Sequence, residues 1–296
     1  MKDFVVDHLP GSIVRFFSRP YVGGYGIDAA LKKAEELWTN ERISTTLDLL
    51  GEFVKTKEEV ENTVSIYKDV FDRIKDKNDH ISVSIKLSAL GILFDREYCE
   101  SKLEELLKVA DERGIKVTMD MEDSSLTETT LEIYRKFVQT YPSFGTVLQS
   151  RLFRTREDIE RFKDIKGRFR ICIGIYNEPP DISLTDKKEM KEKLLEYAKM
   201  LLESGHYTEI ATHDKTTIER AKEIVKDYPP SQFEFQQLLG VPLLSVQREL
   251  VRLGYTVRLY LPFVINKKDA TAYLKRRMKE NPHMTIYVLK NLLRLN

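Results

Sequence analysis

The sequence predicts a single α/β domain, a (βα)8 barrel of the TIM type preceded by an N-terminal helical arm. Three observations carry this expectation. From residue 44 onward, eight short β-branched or apolar runs alternate with longer segments whose apolar residues recur at helical spacing. Gly114, Gly167, Gly205 and Gly254 each stand between a helical segment and the next strand, where a left-handed C-cap belongs. A length of 296 residues suits one such barrel, and eight strand–helix units in succession favour closure over an open sheet.

The elements follow in order. Residues 1–40 form the arm, which ends in a helix starting near Asp28, and the barrel with its C-terminal helices takes residues 41–296. Strands are expected at 44–50, 81–87, 115–121, 146–152, 169–175, 208–212, 232–236 and 256–261. The first intervening helix is marked by Val60, Val64, Tyr67, Val70 and Phe71, which share one face.

Charge is nearly balanced, with 48 Lys+Arg against 47 Asp+Glu and no basic tract, so no nucleic-acid partner is expected. Charged residues make up 32% of the chain, which suits a soluble protein. Cys99 and Cys172 are far apart and lack metal-ligand spacing, so a reduced, cytoplasmic setting and no metal are expected. No signal-peptide core opens the sequence and no apolar run reaches membrane-spanning length, which leaves room for peripheral membrane contact alone.

Barrel strands alternate side chains between the interior and the outer helices. In 81–87, Ile81, Val83, Ile85 and Leu87 share one parity, while Ser82, Ser84 and Lys86 share the other. Lys86 therefore emerges at the C-terminal mouth, where barrel enzymes do their chemistry. The same reading puts Asp120 at the end of the third strand, Gln149 in the fourth, Arg170 in the fifth and His213 just after the sixth. Glu234 falls in the seventh, Tyr260 in the eighth and Asp48 in the first. Each has an ordinary explanation: a surface lysine, a helix-capping aspartate, a hydrogen-bonded histidine, a packed tyrosine. Taken together, polar residues repeated at one end of successive strands describe a site.

Near the C-terminus, Tyr273, Arg276, Arg277 and Glu280 fall within roughly 100° of one helix face. Lys268, Lys275 and Lys279 cluster on the solvated side. A Lys/Arg/Glu run alone is usually a solvated face. Two adjacent guanidiniums turned inward need anionic partners, because an unpaired buried charge costs several kcal/mol. Glu280 offsets only part of that charge, and a small planar carboxylate suits the rest.

With these residues in view, the chain resembles proline dehydrogenase, in its single-function bacterial form and as the barrel domain of proline utilisation A. The resemblance covers nearly the whole sequence. It is carried by Leu47-Asp-Leu-Leu-Gly-Glu52, Val83-Ser-Ile-Lys-Leu-Ser-Ala-Leu90, Met119-Asp-Met-Glu122, Gln149 with Leu152-Phe-Arg-Thr155, and Arg170 with Gly174-Ile-Tyr176-Asn-Glu-Pro-Pro180. Ala211-Thr-His-Asp214, Glu234-Phe-Gln236, Arg258-Leu-Tyr260 and the Tyr273 to Asn281 helix complete it, and the Arg-Arg pair is its most specific part.

The resemblance implies FAD at the C-terminal mouth and oxidation of L-proline to (S)-1-pyrroline-5-carboxylate, with hydride passing from proline C5 to flavin N5. Electrons then pass to a quinone, and the product goes on to a pyrroline-5-carboxylate dehydrogenase. Carried over by position, Arg276, Arg277 and Lys86 hold the proline carboxylate, Asp120 orients Lys86, and Tyr260 and Leu238 pack on the ring. Glu52 gates the site by pairing with Arg276. Met121, Gln149, Arg170, Ile173, Gly174, Ile175, Thr212, His213 and Glu280 contact the flavin, Arg170 nearest the chemistry. Two positions depart from the pattern: Ile173 stands where the family usually has lysine, and Arg151 where it more often has tyrosine. Two other readings stay open: a Schiff-base lyase or aldolase using Lys86 on a small carboxylate, and a non-catalytic binding barrel.

Overall fold

The structure, a computed structural model, describes residues 23–51 and 54–265. Glu52, Tyr273, Arg276, Arg277 and Glu280 lie outside the described residues.

Eight parallel strands close into a barrel in sequence order, the last pairing with the first. They are β1 (Ser44–Leu49), β2 (Ile81–Ile85), β3 (Val117–Met119), β4 (Phe144–Gln149), β5 (Arg168–Cys172), β6 (Tyr207–Ala211), β7 (Phe233–Leu238) and β8 (Val257–Phe263). The described helices are α1 (Ile27–Glu41), α2 (Lys57–Ile74), α3 (Arg96–Glu112), α4 (Ser124–Val138), α5 (Thr155–Arg161), α6 (Lys187–Glu203), α7 (Lys215–Val225) and α8 (Leu244–Arg252). α1 is the helix expected at the end of the arm.

Local chemistry sets the helix starts. Thr56 accepts the Glu59 N–H at 3.2 Å while the Glu59 carboxylate accepts the Thr56 N–H at 3.3 Å, a reciprocal cap on α2. Asp95, Asp123, Asp186 and Asp214 cap α3, α4, α6 and α7 with their side chains. In α2, Val60, Val64, Tyr67, Val70 and Phe71 are all buried, as their spacing requires. They belong to one apolar core with outward strand residues such as Leu47, Val83, Ile85, Phe169 and Phe235.

Several strand ends differ from expectation, for local reasons. β5 stops at Cys172 because Gly174 takes φ 97° and turns the chain. β4 stops at Gln149, whose carbonyl accepts the Leu152 N–H at 3.1 Å and the Thr155 hydroxyl at 2.6 Å in a tight turn. Gly114, Gly205 and Gly254 do adopt positive φ, but Gly167 does not. Gly167 answers a different demand: a Cβ there would lie 2.5 Å from Tyr134 Oη and 2.8 Å from the Phe169 ring.

The register turns Asp48, Ser84, Arg168, Arg170, Glu209, Glu234, Gln236, Arg258 and Tyr260 to the inside. This interior is ionic where barrels usually stack branched aliphatics. Arg258 Nε meets Glu234 at 2.7 Å, and Arg168 pairs with Glu209. Gln236 Nε2 donates to Glu209 and to Glu234, 2.6 Å each, tying the two pairs together. Burial raises the Glu234 carboxyl, but Arg258 more than reverses this and holds it down at about 2. Glu234 is thereby corrected. It sits second in β7, toward the N-terminal end, and serves as counter-ion to Arg258 away from the mouth.

Candidate active site

The end of β1, the residues just past β2 and β3, and the middles of β5 and β8 deliver a compact charged cluster. Lys86 Nζ donates to Asp48 Oδ1 at 2.5 Å, to Asp120 Oδ2 at 3.1 Å and to Tyr260 Oη at 3.1 Å. Asp120 Oδ1 accepts from Arg170 Nη1 at 2.7 Å and from the Ser84 hydroxyl at 2.8 Å. Arg170 Nε reaches down to Gln236 Oε1 at 2.6 Å, which links the mouth to the ionic interior below.

Water is nearly excluded: Lys86 is 8% exposed, Asp120 and Arg170 7% each, and Asp48 1%. Two cations and two carboxylates balance, so the cluster avoids the penalty of an uncompensated buried charge. Burial alone would raise the Asp120 carboxyl; Lys86 and Arg170 hold it below the usual carboxylate range. The Tyr260 phenol is pushed well up by burial and by Asp120 and Asp48, so it stays protonated and can donate.

One donor in this cluster is unused. Arg170 Nη2 is sealed from solvent and has no hydrogen-bond partner among the described residues. Leaving such a group unmet is costly, so a bound acceptor fits there. Other residues expected at a cofactor site lie at or just beyond the C-terminal ends of the strands. Met121 and Thr212 are buried beyond β3 and β6, and His213 Nε2 accepts the Leu238 N–H at 2.8 Å. Gln149 donates to the Glu122 carbonyl at 3.1 Å. Gly174 packs so closely on Gln149 that a Cβ would collide with Oε1. Ile173 follows β5, and Ile175 is exposed on the rim.

Arg151, after β4, contributes a further cation on this side. It is half-buried, its Nε is sealed without an acceptor, and no carboxylate among the described residues pairs with it. Burial lowers its pKa, offset by the field of Glu178.

The structure thus brings Lys86, Asp120, Arg170 and Tyr260 into contact and gathers the loops bearing Met121, Gln149, Ile173 to Ile175, Thr212 and His213 at the same end. Asp48 is the nearer of two counter-ions to Lys86, where the resemblance named Asp120 alone. Glu209, Gln236, Arg168 and Arg258 received no role from the sequence. Strand parity could have found Glu209, which alternates with Tyr207 and Ala211 on the inward side of β6.

Comparison with known proteins bears on the chain as a whole. A family model described as proline dehydrogenase matches residues 30–175 and 180–288. Proline dehydrogenase 1 of Bacillus subtilis (strain 168) is 34% identical over 282 residues, covering 95% of this chain and 92% of that protein. Proline dehydrogenase of Deinococcus radiodurans is 31% identical over 281 residues, covering 93% and 89% of the two chains. Among solved structures, proline utilization A from Bdellovibrio bacteriovorus inactivated by N-propargylglycine superimposes with a TM-score of 0.83 at 21% identity. The match covers 93% of this chain and 34% of that one, so the likeness is one of fold to about a third of a longer protein.

Proposed function

This chain belongs to the proline dehydrogenase family, and from that membership and the chemistry of the mouth we propose that it oxidises L-proline to (S)-1-pyrroline-5-carboxylate with FAD as cofactor and a quinone as final acceptor. The observation that carries the cofactor assignment is the unmet, buried Arg170 Nη2 beside Asp120, Lys86 and Tyr260. The flavin, when bound, supplies the acceptor for the hydride leaving proline C5, a task no side chain can perform. Met121, Gln149, Arg170, the Ile173–Gly174–Ile175 turn, Thr212, His213 and Glu280 would hold it.

The protein's own residues bind and orient the substrate. Arg276, Arg277 and Lys86 take the carboxylate, each charge-assisted hydrogen bond contributing about 1.5–3 kcal/mol. Asp48 and Asp120 fix the Lys86 ammonium in place before substrate arrives. Tyr260 and Leu238 pack on the ring, and Glu52 closes over it by pairing with Arg276. The substrate nitrogen must be neutral, because its lone pair forms the C=N bond as hydride leaves C5. The surrounding cations favour that neutral form. Positioning in a dry site dominates the rate. Among the described residues no helix is long and apolar enough to cross a membrane, so a quinone would be met by peripheral contact. The product would pass to a pyrroline-5-carboxylate dehydrogenase.

A visible spectrum of the purified protein tests the reading. A flavin band that bleaches on adding proline supports it. Colourless protein, or substrate trapped on Lys86 by borohydride, refutes it in favour of a Schiff-base barrel.

A further inference from the structure

At the end of the barrel opposite Lys86, a wide, open cavity of about 460 Å³ lies among the N-terminal ends of the strands and the C-terminal ends of α1 and α8. This volume lies in the range of small-molecule sites. Trp38, Tyr207 and Tyr255 line it; Trp38 is stacked on His80 at 4.7 Å, and Arg168 lies 5.6 Å from the Tyr207 centroid.

Its charges are unequally matched. The carboxylates in the lining are already engaged. Glu234 receives Arg258 and Gln236 on one oxygen and the Tyr207 hydroxyl, at 2.9 Å, on the other. Asp79 bonds His80 at 2.6 Å. Lys116 and Arg42 also line the cavity, and neither pairs with a carboxylate among the described residues. Each instead lies over a ring, Lys116 at 5.7 Å from the Tyr207 centroid and Arg42 at 5.2 Å from that of Trp38. Lys116 is half-buried, and burial with the fields of Arg258 and Arg168 lowers its pKa against the opposing fields of Glu234 and Glu209.

Arg42 is odd for a second reason. Among the described residues it is the one non-glycine at positive φ, 55°, where it ends α1. Glycine is the easier residue there, and a side chain in this conformation costs about 1–2 kcal/mol. The cap is held by the Arg42 N–H on the Leu37 and Trp38 carbonyls, and its guanidinium is exposed at the cavity rim.

We propose that this cavity binds a small phosphate ester carrying a planar organic group, its phosphate held by Lys116 and Arg42 above the buried Arg258. A dianion supplies the charge the two free cations lack, and a guanidinium fork with an ammonium suits phosphate oxygens. The planar group stacks on the Trp38 and Tyr207 faces that the two cations leave as they turn to the phosphate. None of these residues belongs to the mouth, so the site is separate from proline oxidation.

The test is a calorimetric titration of the flavin-loaded full chain with phenyl phosphate, at ionic strength held constant with sodium chloride and with proline saturating the mouth. Saturable binding at one site is expected, weakened at least tenfold in Lys116→Met and in Arg42→Gly. The second variant relieves the backbone at that position, so folding is preserved. Inorganic phosphate should bind at least tenfold more weakly; equal affinity would overturn the planar-group assignment. Absence of saturable heat, or unchanged affinity in both variants, would overturn the site itself. Because heat of binding is read in place of turnover, this outcome is independent of the proposed reaction.

Discussion

Tyr260 and Asp120, separated by 140 residues in sequence, share a 2.5 Å hydrogen bond in which the phenol donates to the carboxylate. The same phenol oxygen accepts from Lys86, so one hydroxyl braces both partners of an ion pair. Tyr260→Phe should keep the ring against proline yet loosen Lys86. A hydrogen bond to a charged group contributes about 1.5–3 kcal/mol, so the proline KM should rise about tenfold or more with flavin content unchanged. Steady-state kinetics beside the flavin spectrum would show this, and an unaltered KM would remove the bracing role.

Tyr260 also bears on selectivity. A ring hydroxyl on the substrate would meet this side chain, so hydroxyproline should be a poor substrate. Tyr260→Ser should restore part of the lost efficiency. Comparable kcat/KM for the two substrates in the unmodified protein would refute the crowding.

The route from sequence to site is clearest at Lys86. Its parity with Ser82 and Ser84 placed it inside, and the closed barrel then set it against Asp120 and Tyr260. Strand parity is local, so it survives translation into structure. Glu234 shows where such reasoning stops. Parity turned it inward correctly, but height along the barrel depends on the stagger between strands, which no single strand encodes. Asp48 shows a related limit: its 2.5 Å contact with Lys86 crosses from β1 to β2, and only the register supplies it. Gly167 looked like a helix cap from its position, yet its real constraint is the space taken by Tyr134 and Phe169.

Arg277→Met should raise the proline KM strongly while bound FAD stays in place. Loss of one cation from the carboxylate site removes about 1.5–3 kcal/mol, equivalent to roughly 10- to 100-fold in KM. Flavin retention can be read from the absorbance ratio of the purified variant. Release of the flavin instead would mean that the arginine serves the cofactor.

Ile173 follows β5 at the mouth, and Arg151, which pairs with no carboxylate among the described residues, approaches Gly174 on the same rim. A cation near a flavin favours the anionic reduced form, so Ile173→Lys should raise the two-electron potential. An added stabilisation of about 1.4 kcal/mol would appear as about 30 mV. Arg151→Gln should shift the potential the opposite way. A potential indifferent to both changes would show that neither position feels the ring.

His206 predicts how stability follows pH. It is buried at the start of β6, edge-on to Phe169 at 4.8 Å, and its Nδ1 accepts the Gly167 N–H at 3.2 Å. Nε2 therefore carries the hydrogen and lies sealed without a partner among the described residues. Protonating Nδ1 would break the Gly167 bond and bury a charge, and burial lowers the pKa from 6.5 to about 4. The unfolded chain then binds more protons than the folded one between these two values. Stability from this residue is thus complete above pH 6.5 and is lost as pH falls toward 4. The loss should be on the order of 2–3 kcal/mol. Urea unfolding at pH 7.5 and pH 5 measures it, and His206→Gln, which cannot charge, should flatten this part of the profile. An equal pH slope in the variant would assign the loss to carboxylates such as Asp120.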